Sequence, residues 1–203
     1  MFKKTKSVQI EELKSLKNNL RRKYTDNYSK NVFVGDYTYG DFLVREWDNK
    51  TKLRIGKFCS IAEGVIFILG GEHRSDFTTT YPFNALVKSF ACIKGHPKTK
   101  GDIIVGHDVW IGSHAKILSG VKIGNGAIIG ANSLVTKDIP DYAIAAGNPI
   151  RIIRYRFDAE TIKTLNQIKW WDFEPERLIK AIPMLQNSDV KKFIETFRWI
   201  KIK

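Results

Sequence analysis

An isoleucine or valine recurs every six residues along one stretch of the chain, at Val105, Ile111, Ile117, Ile123, Ile129 and Val135. Two residues before each column position runs a second register of small or aliphatic residues, Val109, Ala115, Val121, Ala127 and Ser133, which Ile139 extends. Neither the strand period of two nor the helix period of 3.6 generates this spacing. A period of six is the mark of a hexapeptide parallel β-helix, in which each unit makes one short flat side and turns a corner. One unit cannot bury its aliphatic side chain alone, so the units stack and the column becomes a continuous core. Three units close a triangular turn, which sets residues eighteen apart over one another at the strand spacing of about 4.8 Å. Gly106, Gly112, Gly124 and Gly130 follow column residues and, with Asn or Asp at the corners, are expected to serve the tight bends.

The same grammar occurs earlier, at Val34-Gly35-Asp36 and from Ile55-Gly56-Lys57-Phe58-Cys59-Ser60-Ile61 to Phe67, but in another phase. A loop over residues 70–101 must therefore interrupt the coil. Long excursions from a rigid repeat tend to carry function, so the chemistry is sought there. The expected organisation is all-β at its centre. An N-terminal helical extension covers 1–30, the coil with its inserted loop 31–157, and C-terminal helices 158–203. Ile10, Leu13, Leu16 and Leu20 give 8–23 the pattern of an amphipathic helix, and an irregular insertion is expected around Trp47-Asp48-Asn49-Lys50. Asn148-Pro149 ends the repeat. Asp158 caps a helix over 161–168, Pro175 starts one with Leu178, Ile179, Ile182 and Leu185 on one face, and a last helix spans 189–199. The aromatic residues of this region, Trp170-Trp171 among them, are expected to seal the open end of the coil or to pack on a neighbouring subunit.

With 203 residues and 43% hydrophobic content the chain fits one main domain with an appendage. No apolar run approaches the ~18 residues of a membrane span, and none follows the basic N-terminus, so neither membrane insertion nor a signal peptide is expected. Cys59 and Cys92 show neither disulfide nor zinc spacing, and a reducing cytoplasm is the expected location. The net charge of +13 fits either an anionic partner or a solvated basic surface. The basic residues are scattered and no reading motif accompanies them, so nucleic acid is not the expected partner. Lys137, Arg151, Arg154 and Arg156 form a local basic patch at the C-terminal end of the coil.

The loop segment Gly70-Gly71-Glu72-His73-Arg74-Ser75-Asp76 with Thr80-Tyr81-Pro82-Phe83 resembles the xenobiotic acetyltransferases of the type B chloramphenicol and streptogramin A (virginiamycin) kind. So do Ile55-Gly56-Lys57-Phe58-Cys59-Ser60-Ile61, Asp108-Val109-Trp110-Ile111-Gly112, Ala146-Gly147-Asn148-Pro149 and Lys169-Trp170-Trp171-Asp172, in the same order over about residues 30–185. The resemblance implies a left-handed β-helix that trimerises and transfers acetyl from acetyl-CoA to a hydroxyl of a small acceptor.

By that resemblance His73 is the catalytic general base. An alcohol is a poor nucleophile at neutral pH, and an imidazole with an ordinary pKa near ~6.5 can take its proton during attack on a thioester. Asp76, three residues on, or a backbone carbonyl could orient the ring. Trp110 is expected to wall the acyl site, and Tyr39 and Tyr81 to contact the acceptor. For acetyl-CoA, residues eighteen apart suggest a ladder of small rungs, Gly112, Gly130 and Asn148 beside Ser113, Ala131 and Pro149, along which a pantetheine arm can lie. Thr136, Lys137 and Arg154 match residues that meet the nucleotide and phosphate end in related hexapeptide acetyltransferases, with Arg151 a further candidate. His96, His107 and His114 are candidate metal ligands, since the main alternative activity on a left-handed β-helix is carbonic anhydrase of the γ class. Two of the three zinc histidines there are five apart, whereas His107 and His114 are seven apart, so no metal is expected.

The acceptor stays open between an antibiotic of the chloramphenicol or streptogramin A type and a cell-surface saccharide or sugar nucleotide, acetylated on oxygen or nitrogen. The short segment Ala85-Leu86-Val87-Lys88-Ser89-Phe90 and the stretch 94–102 lean toward the sugar-modifying members. A catalytically silent scaffold is the competing class, and His73, Trp110 and the small-residue ladder count against it.

Overall fold

A computed structural model of the chain describes residues 5–48 and 50–198. Its centre is a parallel β-helix of triangular section. One side stacks Val32–Val34, Leu53–Ile55, Ile103–Val105 and Lys122–Ile123 in parallel. The second side stacks Tyr39, Ser60, Trp110, Ile128 and Ile144. The third stacks residues 42–45 and 65–68 with Lys116–Leu118 and Leu134–Val135. Tyr39–Arg45 and Ser60–Ile68 run on from the second side to the third around a corner.

The register explains the period. Val105 pairs with Ile123, Ile111 with Ile129 and Ile117 with Val135, each eighteen residues apart. All six column residues are buried, as are Val109, Ala115, Val121, Ala127 and Ser133 of the second register. Ile61 pairs with Ile111 and Phe67 with Ile117, fifty residues apart, because the loop intervenes. Fifty is not a multiple of six, which accounts for the change of phase.

Two details depart from the expected coil. The last turn is short: Ile139 bridges Ile123, and Ala145 pairs with Ile129, sixteen residues apart rather than eighteen. Ile139 therefore occupies a column position and not the second register. Asp138 and Asp141 make the short cut possible, since their carboxylates accept from the backbone N–H of Lys122 (2.8 Å) and Asn125 (2.6 Å). The second departure concerns the glycines. Gly106, Gly112, Gly124 and Gly130 do not occupy the left-handed corners; that backbone falls to Tyr37, Phe58, Asp108, Gly126 and Tyr142 at one corner and Gly64, His114 and Asn132 at another. Gly112 and Gly130 are needed for close stacking instead: a Cβ on Gly112 would meet Ala131 N at 2.6 Å, and one on Gly130 would meet Ala146 Cβ at 2.7 Å.

Helix α1 (Lys6–Asn27) is longer than the expected 8–23. Inside the loop lies the single-turn α2 (Phe83–Leu86). After the coil come α3 (Ala159–Ile168), α4 (Pro175–Leu185) and α5 (Val190–Phe197). Asp158 accepts from Thr161 N–H and caps α3 two residues earlier than expected, Pro175 opens α4, and Asp189 caps α5. Trp199, expected to end the last helix, lies outside the described residues, as does Asn49 of the irregular insertion. The C-terminal helices pack along a corner of the coil. Trp171 stacks on His107 at 5.1 Å between centroids, Trp170 lies 4.8 Å from Phe58, and Lys57 pairs with Asp172 at 2.7 Å. A second core forms there from Tyr142, Leu165, Ile168, Ala181, Phe193 and Phe197. Among the described residues no helix is long and apolar enough to cross a membrane.

Candidate active site

The loop leaves the third side after Ile68 and rejoins the first at Ile103, so it stands at the vertex between them. Its neck is built from few bonds. Glu72 and Lys98 exchange both backbone hydrogen bonds (3.0 and 2.8 Å). Ser119, on the coil, donates to the Glu72 carboxylate (2.8 Å) and accepts from Lys100 N–H (3.0 Å). Below them Trp47 lies against Gly71, whose φ of +79° and missing side chain leave room for the indole. His73 follows this neck directly.

The His73 Nδ1 lies 2.7 Å from the carbonyl oxygen of Thr80. A carbonyl can only accept, so Nδ1 carries the hydrogen and Nε2 keeps a free lone pair. The exposed ring is thereby oriented as a base. Asp76 plays no part in this. It pairs with Arg74 through both carboxylate oxygens, and that hydrogen bonding holds its carboxyl down to about 2. The Arg74 guanidinium also caps the Phe77 ring at 4.5 Å. Tyr81, next to the carbonyl that holds His73, exposes 55% of its surface and sits 4.8 Å from Phe83.

A second group of expected residues converges elsewhere. On the second side the outward positions pair in succession as Tyr39, Ser60, Trp110, Ile128, Ile144 and Arg154. Tyr39 and Trp110 are 55% and 54% exposed, large fractions for aromatic rings on a sheet. At about 4.8 Å per strand this stripe runs roughly 24 Å from a phenol to a guanidinium. Sequence spacing hides it, because the loop and the antiparallel Arg151–Tyr155 strand break the count. The stripe occupies the side opposite the vertex that carries the loop. Among the described residues no hydrogen bond or ring contact joins His73 to Tyr39, Trp110 or Arg154.

The ladder of small rungs is altered by the short last turn. Ala146, not Asn148, lies over Gly130, and Asn148 and Pro149 stand exposed two residues further on. Gly112 is buried in the stack and Ser113 half-buried, while Ala131, Thr136, Lys137, Arg151 and Arg154 are exposed. Arg154 donates to the Tyr155 carbonyl at 3.2 Å. Arg156 leaves the expected basic patch: it turns inward to the Gly126 carbonyl (2.7 Å) and Asp108 (3.2 Å). His107 Nδ1 accepts from Lys57 N–H (3.0 Å), and burial pushes its imidazole below the ordinary value. Among the described residues no three His, Cys, Asp or Glu side chains are grouped to hold a metal ion. A cavity of about 660 Å³ lies between α1, the corner at Phe58 and the C-terminal helices, with no loop residue on its wall.

Sequence reasoning offered a backbone carbonyl for His73 without identifying Thr80, and it missed the Glu72–Ser119 bond and the contact between His73 and His96, whose ring centroids are 4.7 Å apart. None has a spacing signature, since all depend on how the loop closes.

Residues 102–137 match the family described as bacterial transferase hexapeptide (six repeats). The chain is 37% identical over 187 residues to a chloramphenicol acetyltransferase of Agrobacterium fabrum, covering 84% of this chain and 89% of that protein. It is 38% identical over 178 residues to a virginiamycin A acetyltransferase of Staphylococcus aureus, covering 80% of each. In fold it is similar to a hexapeptide-repeat acetyltransferase of Vibrio cholerae, with a TM-score of 0.52, 21% identity, and coverage of 77% of this chain and 95% of that one.

Proposed function

The chain belongs to the xenobiotic acetyltransferases, hexapeptide-repeat enzymes of the chloramphenicol and virginiamycin A type, and from that premise we propose that it moves acetyl from acetyl-CoA to a hydroxyl of an antibiotic of this kind. The coil is left-handed, and three copies associate about its axis. Acyl transfer to a small acceptor is the activity.

In the reaction His73 Nε2 takes the proton of the acceptor hydroxyl as its oxygen attacks the thioester carbonyl carbon. The new C–O bond forms, the C–S bond breaks, and the imidazolium returns its proton to the departing thiolate. An acetyl ester and free coenzyme A result, with no net charge change. The single observation that carries this role is the Thr80 bond, which commits Nδ1 as donor and leaves Nε2 basic at the surface. Transfer is direct. Cys59 is no relay, because burial pushes its thiol up to about 12.

The donor fits the second side. Gly112 and Gly130 are already used by the stack, so exposed Arg154 on this side, with exposed Ala131 and half-buried Ser113 at its edge, are the residues that would hold it. Thr136, Lys137, Asn148 and Pro149 lie beyond the corner along the third side and would meet the donor only where it reaches around. Arg154 takes the phosphate end and Trp110 walls the acetyl group, with Tyr39 and Tyr81 toward the acceptor. A single copy keeps His73 at a vertex and this stripe on the opposite side, which favours a site completed between copies, the base of one facing the stripe of the next.

The direct test is acetyl-CoA consumption with chloramphenicol, a streptogramin A compound and a panel of sugar nucleotides. Turnover on an antibiotic hydroxyl supports the reading. Turnover on sugars alone moves the acceptor to saccharides, and none on any acceptor sinks the reading.

A further inference from the structure

The loop neck places a second imidazole beside the first. His73 follows the Glu72–Lys98 bridge on one strand, and His96 precedes it on the other. Their rings meet edge to face, with centroids 4.7 Å apart and planes 89° to one another. The backbone that presents His96 is fixed. Asn84 donates through Nδ2 to the carbonyls of His96 (2.8 Å) and Ile93 (3.1 Å). Gly95 takes a φ of +102°, a turn that a side chain resists and that aims the next residue back across the neck.

Two features of His96 are unusual for a ring with only a packing role. Both of its nitrogens are shut off from solvent, and among the described residues neither has a hydrogen-bond partner. Burial, and then the neighbouring His73, push its imidazole below the ordinary value. Both effects favour the neutral form of the His96 ring. The Thr80 bond alone leaves His73 one freedom: its ring can still pivot about the line from Nδ1 to the carbonyl oxygen. An edge-to-face neighbour removes that pivot.

We propose that His96 is a positioning residue, whose ring fixes the plane of His73 so that Nε2 points in one direction throughout the reaction. This inference rests on the acetyl-transfer reading of the His73 site and goes beyond it by assigning the second histidine. The aromatic plane is what acts; the ring nitrogens serve only in remaining uncharged beside a base that gains charge on each turnover.

The test compares His96→Ala and His96→Phe in the full chain. His96→Ala should lower kcat by about tenfold to a hundredfold while KM for acetyl-CoA stays within about twofold. His96→Phe, which keeps a flat ring in place, should recover to within a few-fold of the parent. Carbon-13 relaxation NMR of the His73 ring in the ligand-free protein supplies a readout independent of activity. His73 should keep the Nδ1–H tautomer in all three proteins, with a fixed ring in the parent and in His96→Phe and added ring motion in His96→Ala. Unchanged ring motion and kcat in His96→Ala would overturn the proposal, and so would a His96→Phe variant as slow as His96→Ala. A parent protein that shows the fixed His73 ring yet acetylates nothing would sink the acetyl-transfer reading and leave the pairing of the rings standing.

Discussion

The wall of the coil and the loop that leaves it hold their functional side chains by opposite means. On the wall, position follows from register: Tyr39, Trp110 and Arg154 stand in one stripe because successive strands pair residue for residue over a buried aliphatic column. Many equivalent bonds share the load, and a change at an outward position leaves the stack intact. The loop has no such column. His73 is placed by the Glu72–Lys98 bridge, one serine bond, one carbonyl and one neighbouring ring. The wall is therefore suited to present a long donor, and the loop to present one reactive atom that local contacts can tune.

That contrast can be broken at several points. The largest effect is expected on the loop. His73→Ala should cost about 10² to 10⁴ in kcat, with acetyl-CoA affinity by calorimetry unchanged. An active variant would remove His73 from the base role. On the wall the corresponding blow is to stability. Ile117 is fully buried, and Ile117→Ala should cost about 2–5 kcal/mol in urea unfolding without selective loss of kcat in the folded fraction. A folded, equally stable variant would show that the column does not carry the coil.

Smaller effects sharpen the difference. Arg154→Ala should raise KM for acetyl-CoA about three- to tenfold and leave kcat alone, since an exposed guanidinium on phosphate adds modest binding. A change in kcat alone would detach Arg154 from the donor. The smallest effect concerns the appendage. The Thr161 N–H holds the Asp158 carboxyl below its ordinary value of 3.8. A lowered folded value means that the cap stabilises above 3.8 and that this contribution fades as pH falls through the folded value. Any thermal advantage of the parent over Asp158→Asn should thus shrink below pH ~4. A constant difference from pH 3 to 6 would contradict the charged cap.

The two regions also differ in how far they could be read from residues alone. The column Val105 to Val135 is legible because stacking imposes a fixed period on the chain itself. Asp158 and Pro175 are legible because caps are local. Register across interruptions is not, so the short turn at Asp138-Ile139 and the displacement of Asn148 from Gly130 were hidden. His73 stood out through its motif, whereas the group that orients it did not. Asp76 was the nearer acidic residue, but Arg74 engages it, and a backbone carbonyl has no sequence signature.

The central claim is that base and donor face come from different copies, and subunit mixing tests it most directly. His73→Ala lacks the base, and Trp110→Glu places a charge on the donor stripe at an exposed position. Each alone should be inactive. Unfolded together and refolded in equal amounts, they should regain about a quarter of parental activity, the share of random interfaces that join an intact His73 to an intact stripe. Mixed assemblies that remain inactive would mean that each copy carries its whole site.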